Sequence, residues 1–194
     1  MNSFNDRKIL LIDNYDSFTY NLVQQLKPMA SEVEVIKNDD VKLLTKDNFT
    51  HLIISPGPGD PSDSGFCKEL ILKNIYKKPI LGVCLGHQII GELYGAKISQ
   101  ASYPVHGKSA PIRHSEDGLF SNMPQDFVAA RYHSLVIEKN SLPNCFKISA
   151  SYDNIIMGIE HKEIPFLYGL QFHPESFLTQ KGEILMNNFL TMTS

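Results

Sequence analysis

Apolar positions along this chain fall first into short continuous runs and later into alternating ones. Residues 8–13 (KILLID) and 51–55 (HLIIS) are unbroken apolar stretches, the pattern of strands buried on both faces of a parallel sheet. Residues 32–37 (EVEVIK) alternate with period two and predict another strand. Residues 17–27 place Phe18, Leu22, Val23 and Leu26 at helical spacing, with Asp16 or Ser17 available as a cap. A short helix is expected over 40–46 and a longer one over 65–76. The run 80–83 (ILGV) predicts a strand, and 87–94 a helix that stops at Gly95. This strand–helix rhythm predicts a parallel sheet with helices on both faces. From residue 97 onward the pattern changes to strand-like runs at 127–137, 146–151, 155–161 and 167–172, before a terminal helix at 182–190. The expected architecture is one α/β domain over residues 1–194. Its open, mostly parallel sheet carries helices on both faces and additional, partly antiparallel strands in the C-terminal half.

Composition adds a few exclusions. A chain of 194 residues buries about 70% of its unfolded surface without disulfides or structural metals. The net charge of −3 comes with no Lys/Arg cluster, so no nucleic-acid surface is expected. No apolar run reaches membrane-spanning length, and the polar stretch 1–8 leads straight into a strand, so neither membrane association nor a leader peptide is expected. Cys67, Cys84 and Cys145 are odd in number and lack CxxC spacing, which fits reduced thiols in a cytoplasm. The histidines lack HExxH spacing and there is no Cys/His quartet, so no metal site is expected.

The chemistry concentrates at three places. Gly82-Val-Cys84-Leu-Gly86 joins the strand 80–83 to a helix, the layout of a nucleophile elbow with cysteine in place of serine. A sulfur presented at a helix N-terminus meets unpaired N–H groups and the positive end of the helix dipole, which favour thiolate. A buried core cysteine is the plainer alternative, and the paired glycines argue against it. Next, Gln171-Phe-His173-Pro-Glu175 follows a strand that Pro174 must end. Residues two apart in extended backbone share a face, so Glu175 can orient the His173 imidazole and stabilise its protonated form. Third, Ser55-Pro-Gly57-Pro-Gly59 makes a rigid, bare-backbone loop after another strand. No Gly-Lys-Ser/Thr follows it, so a phosphate loop is not expected. The N–H groups of Leu85 and Gly57 are instead candidates for an oxyanion hole.

Two features stay open at this level. His133, in an apolar context, reads as either a satisfied core histidine or a site residue. Asp13 and Asp16 read as an acid pair, or as a loop and helix cap with a subunit contact.

Taken together, the motifs resemble the class I, triad-type glutamine amidotransferases over essentially the whole chain. Asp13-Asn-Tyr-Asp-Ser-Phe, Ser55-Pro-Gly-Pro-Gly, Gly82-Val-Cys-Leu-Gly-His-Gln, His106-Gly-Lys108, Tyr132-His-Ser-Leu and Gln171-Phe-His-Pro-Glu-Ser occur in family order. The combination is most similar to the glutaminase subunits of anthranilate synthase and aminodeoxychorismate synthase. Departures such as Gly91 and Ala96 are peripheral. The resemblance implies that Cys84 attacks L-glutamine to form a glutamyl thioester, that His173 moves the protons, and that Glu175 orients His173. It also implies glutamine contacts from Pro56, Gly57, Leu85, Gln88, Ser134 and Leu135. No cofactor is implied for this chain, and Mg²⁺ would belong to a partner. That partner is a separate, large chorismate-binding synthase subunit serving tryptophan biosynthesis or folate biosynthesis, or this chain serves both. An unrelated peptidase or γ-glutamyl hydrolase would share the elbow and triad but would have no reason to carry Tyr132-His-Ser-Leu. A non-enzymatic regulatory subunit would be favoured by a replaced triad residue, and none is replaced.

Overall fold

The computed structural model describes residues 6–101 and 103–193. Residues 1–5, most of the polar stretch behind the expectation of no leader peptide, lie outside the described residues. Five strands run parallel in the order β2 (Glu32–Lys37), β1 (Lys8–Asp13), β3 (His51–Ile54), β4 (Ile80–Val83) and β11 (Leu167–Leu170). The sheet then continues antiparallel through β10 (Ile155–His161), β9 (Phe146–Tyr152), β6 (Lys108–His114) and β7 (Phe127–Arg131). β5 (Ile98–Gln100) and β8 (Leu135–Ile137) form a separate antiparallel pair.

Alternation along the buried strands divides the core into two layers. Ile9 and Leu11 of β1 face α1 (Thr19–Leu26) and α4 (Gly182–Thr191), packing with Leu22, Leu26, Met186 and Phe189. Leu10 and Ile12 face the opposite layer, α2 (Cys67–Asn74) and α3 (Leu85–Leu93), with Leu70, Ile71, Ile89 and Ile90. Burial of this kind contributes roughly 1.5–3 kcal/mol per large side chain. Among the described residues, no helix is long and apolar enough to cross a membrane.

Several boundaries differ from the sequence expectation for local reasons. α1 starts at Thr19 with Phe18 at its N-cap, and no side chain caps it. Asp16 Oδ1 instead accepts from the Phe18 N–H at 2.7 Å, and Asp13 Oδ1 from the Asp16 N–H at 3.2 Å, so both acids close the preceding loop. The segment expected as a short helix is a 3₁₀ turn, Val41–Thr45, capped by Asp40 accepting from the Lys42 N–H. The apolar run 127–137 is two strands, broken at 132–134. β5 and β6 carry no clear strand signal in the sequence. β6 has Pro111 at its centre, which cannot donate to a ladder, and Lys108, Ser109 and Arg113 are exposed.

The strands β1, β3, β4 and β11 end at one edge of the sheet. β2 and β3 lie on opposite sides of β1, so the loops at the carboxyl ends diverge there and leave a crevice.

Candidate active site

Cys84 is the single residue between β4 and α3, at φ +52° and ψ −99°. A non-glycine residue held at positive φ is strained by about 1–3 kcal/mol, and persists only where its surroundings fix it. Here they do. The Cys84 N–H donates to the Leu170 carbonyl at 2.7 Å, tying the elbow to β11, and the Cys84 carbonyl accepts from the Gln88 N–H at 3.1 Å. The flanking glycines are needed for contact rather than for flexibility. A Cβ at position 82 would stand 2.3 Å from the Gly86 carbonyl oxygen, and one at 86 would stand 2.4 Å from that of Ile54. α3 accordingly starts at Leu85, two residues before the sequence pattern places it.

The elbow opens on a cavity of about 280 Å³. Gly57, Leu85, Gln88, Ser134 and Leu135, all expected around glutamine, line it together with Cys84. Leu85 is the first residue of α3, so its N–H has no partner within the helix. Pro56 is not brought to the wall. It is buried behind the loop, where its carbonyl accepts from Ser55 Oγ at 2.7 Å. His106 and Tyr132 line the cavity without having been expected there.

His173 lies beyond the end of β11, in a short bridge to β7. Its N–H donates to the Ala130 carbonyl at 3.1 Å, and its own carbonyl accepts from Thr179 Oγ1 at 2.5 Å. Its Nδ1 meets Glu175 Oε1 at 2.7 Å, with both side chains buried. The pair is made across a turn closed by the Ser176 N–H on the His173 carbonyl at 3.3 Å, not along the extended backbone that alternation suggested. Phe18 and Tyr132 pack edge-on against the imidazole, with ring centroids 5.2 and 5.0 Å away. Nε2 makes no well-formed hydrogen bond, yet the Cys84 sulfur is close enough to act on it. Loose alignment of this kind is usual before substrate binds. Burial alone would lower the pKa of His173. The negative charge and hydrogen-bonding capacity of Cys84, with the Glu175 carboxylate, outweigh burial and hold it well above the usual histidine range. The imidazole is therefore held ready to carry a proton beside the sulfur.

Gln171 is a site residue that the sequence did not single out. It is fully buried, and its Nε2 donates to Cys84 Sγ at 3.7 Å. Its Oε1 accepts from Gln88 Nε2 at 3.2 Å, and Gln88 Nε2 also donates to the Leu135 carbonyl at 2.9 Å. A lone glutamine after a strand has no distinguishing pattern. Only its position two residues before the histidine, at the end of the strand beside the elbow, could have marked it.

His133 is not a satisfied core histidine. It is 2% exposed, lines the cavity, and makes no well-formed hydrogen bond through either ring nitrogen, with only a loose contact to the Leu135 backbone. Burial first, then the positive charges of Arg131 and His173, bring its pKa down to about 4. Asp13 and Asp16 form no acid pair at the site. Asp13 accepts from Thr19 Oγ1 at 2.9 Å and pairs with Lys37. Cys67 is fully buried, its Sγ donating to Asn14 Oδ1 at 3.4 Å, and burial pushes its thiol up to about 12. Among the described residues no group of His, Cys, Asp or Glu could hold a metal ion.

A carbonyl carbon entering this cavity would meet the Cys84 sulfur, backed by the His173 imidazole, and the first N–H of α3. Such equipment, on a doubly wound sheet, defines an acyl-transfer enzyme working through a thioester. The model of the glutamine amidotransferase class-I family matches residues 10–192, and the chain belongs to that family and is a glutamine amidotransferase. It is 49% identical over 185 residues to an anthranilate synthase component 2 of Cyanophora paradoxa, covering 94% of this chain and 97% of that one. An aminodeoxychorismate synthase component 2 of Serratia marcescens is 44% identical, covering 94% and 98%. A bifunctional protein TrpGD of Thermotoga maritima is 46% identical over 96% of this chain, which spans only 32% of that longer protein. The crystal structure of a GMP synthase-type protein from Thermoplasma acidophilum superposes with a TM-score of 0.84 at 27% identity, covering 95% and 92% of the two chains.

Proposed function

We propose that this chain is the glutaminase subunit of a chorismate-using synthase, anthranilate synthase in the first instance. The Cys84 thiolate attacks the carboxamide carbon of L-glutamine, and the resulting oxyanion takes hydrogen bonds from the N–H groups of Leu85 and Gly57. The intermediate collapses to a glutamyl thioester as His173 hands its proton to the departing ammonia. His173 then removes a proton from water, which hydrolyses the thioester to glutamate and restores the Cys84–His173 pair. Glu175 keeps the imidazole oriented throughout. Gln88, Ser134 and Leu135 hold the amino-acid end of the substrate. Gln171 acts as a positioning residue for the sulfur.

The observation that carries this reading is the strained Cys84 elbow, beside the buried His173–Glu175 pair, opening on a cavity lined by Gly57, Leu85 and Gln88. The second reading, the equivalent subunit of aminodeoxychorismate synthase, is favoured by the 44% identity to the Serratia protein. In both readings the ammonia passes to a separate synthase subunit that docks over the active-site edge, in the cytoplasm. Tyr15 and Tyr20, which follow β1, and Phe177, which follows β11, are exposed by 56, 62 and 91%. Exposed aromatic side chains beside a site suit a protein interface. To test the function, the purified chain is assayed for glutamate release from glutamine, alone and with the chorismate-binding subunit of its own organism. Slow release alone, faster release in the complex, and anthranilate as product are expected. Aminodeoxychorismate as product would select the second reading, and no glutamate release in either setting would refute both.

A further inference from the structure

A second pocket, of about 350 Å³, lies on the other side of the Tyr132–Leu135 segment from the glutamine cavity, between β5, β8 and the turn joining β9 to β10. Its floor holds Arg131, the last residue of β7. Arg131 is only 7% exposed, and its guanidinium carbon sits 4.5 Å from the centroid of the Tyr152 ring. Its Nε is buried without a hydrogen-bond partner, and no carboxylate among the described residues pairs with it. Glu138, Lys139 and Asp153 line the pocket as exposed residues, and neither carboxylate forms an ion pair with Arg131. A buried cation without a counter-charge is strongly unfavourable unless a partner completes it. An arginine stacked on an aromatic ring, with its planar fork immobilised, is well arranged to take two oxygens of a carboxylate or phosphate.

We infer that this pocket binds a small oxyanion ligand, a carboxylate or a phosphate, through Arg131. Its volume suits a small organic molecule. Val105, Val136 and Ile155 provide apolar walls for a ligand body, while Ser99 and Asn154 provide further polar groups. Residues lining the pocket are hydrogen-bonded to the wall of the glutamine cavity. The Ala101 N–H donates to the Ser134 carbonyl at 2.8 Å, the Val105 N–H to that of His133 at 3.2 Å, and the Gly107 N–H to that of Arg131 at 3.1 Å. A bound anion would therefore brace, from behind, the segment whose front face lines the glutamine cavity.

The test uses the full 194-residue chain, with thermal denaturation and calorimetric titration against sodium benzoate and sodium phosphate, and sodium chloride at matched ionic strength as control. Saturable binding is expected from at least one of the two, with Tm rising by about 3–6 °C at tenfold excess over Kd. Benzoate binding would mark the ligand as an organic carboxylate, and phosphate binding as a phosphate. Arg131→Met should weaken binding by about tenfold or more. Because that variant removes a buried side chain, Gln100→Trp, an exposed change on the pocket wall, provides a second test and should also block binding. Absence of saturable binding by both anions would overturn the inference. So would binding that survives Gln100→Trp together with Arg131→Met, or survives either one undiminished in a folded variant.

Discussion

The Nε2 of Gln171 donates to the sulfur of Cys84 at 3.7 Å, while its Oε1 is held by Gln88. The nucleophile is therefore in contact with a side-chain relay that reaches the Leu135 carbonyl in the wall of the cavity. A donor aimed at a sulfur stabilises its anion more than its neutral form. The relay thus ties the charge on Cys84 to the geometry of the substrate wall.

Gln171→Ala should lower kcat for glutamine hydrolysis by about ten- to a hundredfold, the scale of one hydrogen bond to a charged group. KM should move less. The rate of Cys84 alkylation by a small electrophile at neutral pH should fall in the variant. An unchanged alkylation rate with a reduced kcat would assign Gln171 a purely structural part.

Glu175→Gln should be milder than His173→Ala. The first weakens orientation of the ring, whereas the second removes the group that carries the proton, a loss of about a hundred- to ten-thousandfold. Steady-state glutaminase rates decide the order. Near-normal turnover by His173→Ala would move the role of base elsewhere, first to His133 in the same cavity.

A glutamine-like electrophile should label Cys84 alone among the three cysteines. Cys67 is sealed in the core with its thiol pushed up to about 12, and no elbow presents it. Peptide mapping after labelling checks this, and label found mainly on Cys67 or Cys145 would contradict it.

The buried histidines predict the acid behaviour of the fold. Burial brings His51 and His133 down to about 4 and His87 to about 3. The unfolded chain then takes up protons near pH 6.5 that the native chain refuses. Stability should fall as pH drops from about 6.5 towards 4, by up to about 1.4 kcal/mol per pH unit for each such histidine. His173 has the opposite sign. Its raised pKa contributes stability that is complete below about 6.5 and is lost as pH rises through the native value. Denaturant unfolding across pH should show the acid slope, and His133→Asn should flatten it. In Cys84→Ala, the NMR titration of the His173 ring should move to lower pH, because the charge opposing burial is gone.

The exposed aromatic side chains predict where a partner sits. Phe177→Ala and Tyr15→Ala should weaken the complex more than Tyr76→Ala, although Tyr76 is 74% exposed. Tyr76 follows α2 and precedes β4, at the opposite end of the strands from Cys84. Binding measured by calorimetry with the synthase subunit checks this, and equal losses at all three positions would remove the docking surface from the active-site edge.

What was legible in the sequence follows from how local each feature is. The buried parallel strands declare themselves because KILLID and HLIIS are apolar on both faces, and the elbow because Gly82 and Gly86 sit where backbone meets backbone. The His173–Glu175 pair was legible as a pairing but not as a conformation, since the turn that joins them depends on a bridge to Ala130 more than forty residues earlier in the chain. β6 was hidden because Pro111 and its polar outer face look like a loop until β7 and β9 are in place. Gln171 and Arg131 give no sign of their roles in the sequence for a similar reason. Their partners, the Cys84 sulfur and the Tyr152 ring, are remote in sequence and adjacent only in the folded sheet.

The most direct measurement is synthesis by the reconstituted complex of Cys84→Ser with the chorismate-binding subunit, supplied with either glutamine or ammonia. A serine hydroxyl is far less ionised than a thiol near neutral pH and cannot form the thioester. Glutamine-dependent synthesis is expected to disappear while ammonia-dependent synthesis stays at the wild-type rate. Glutamine-dependent synthesis at a rate comparable to wild type would contradict the thioester mechanism, because the nitrogen would then be released without Cys84.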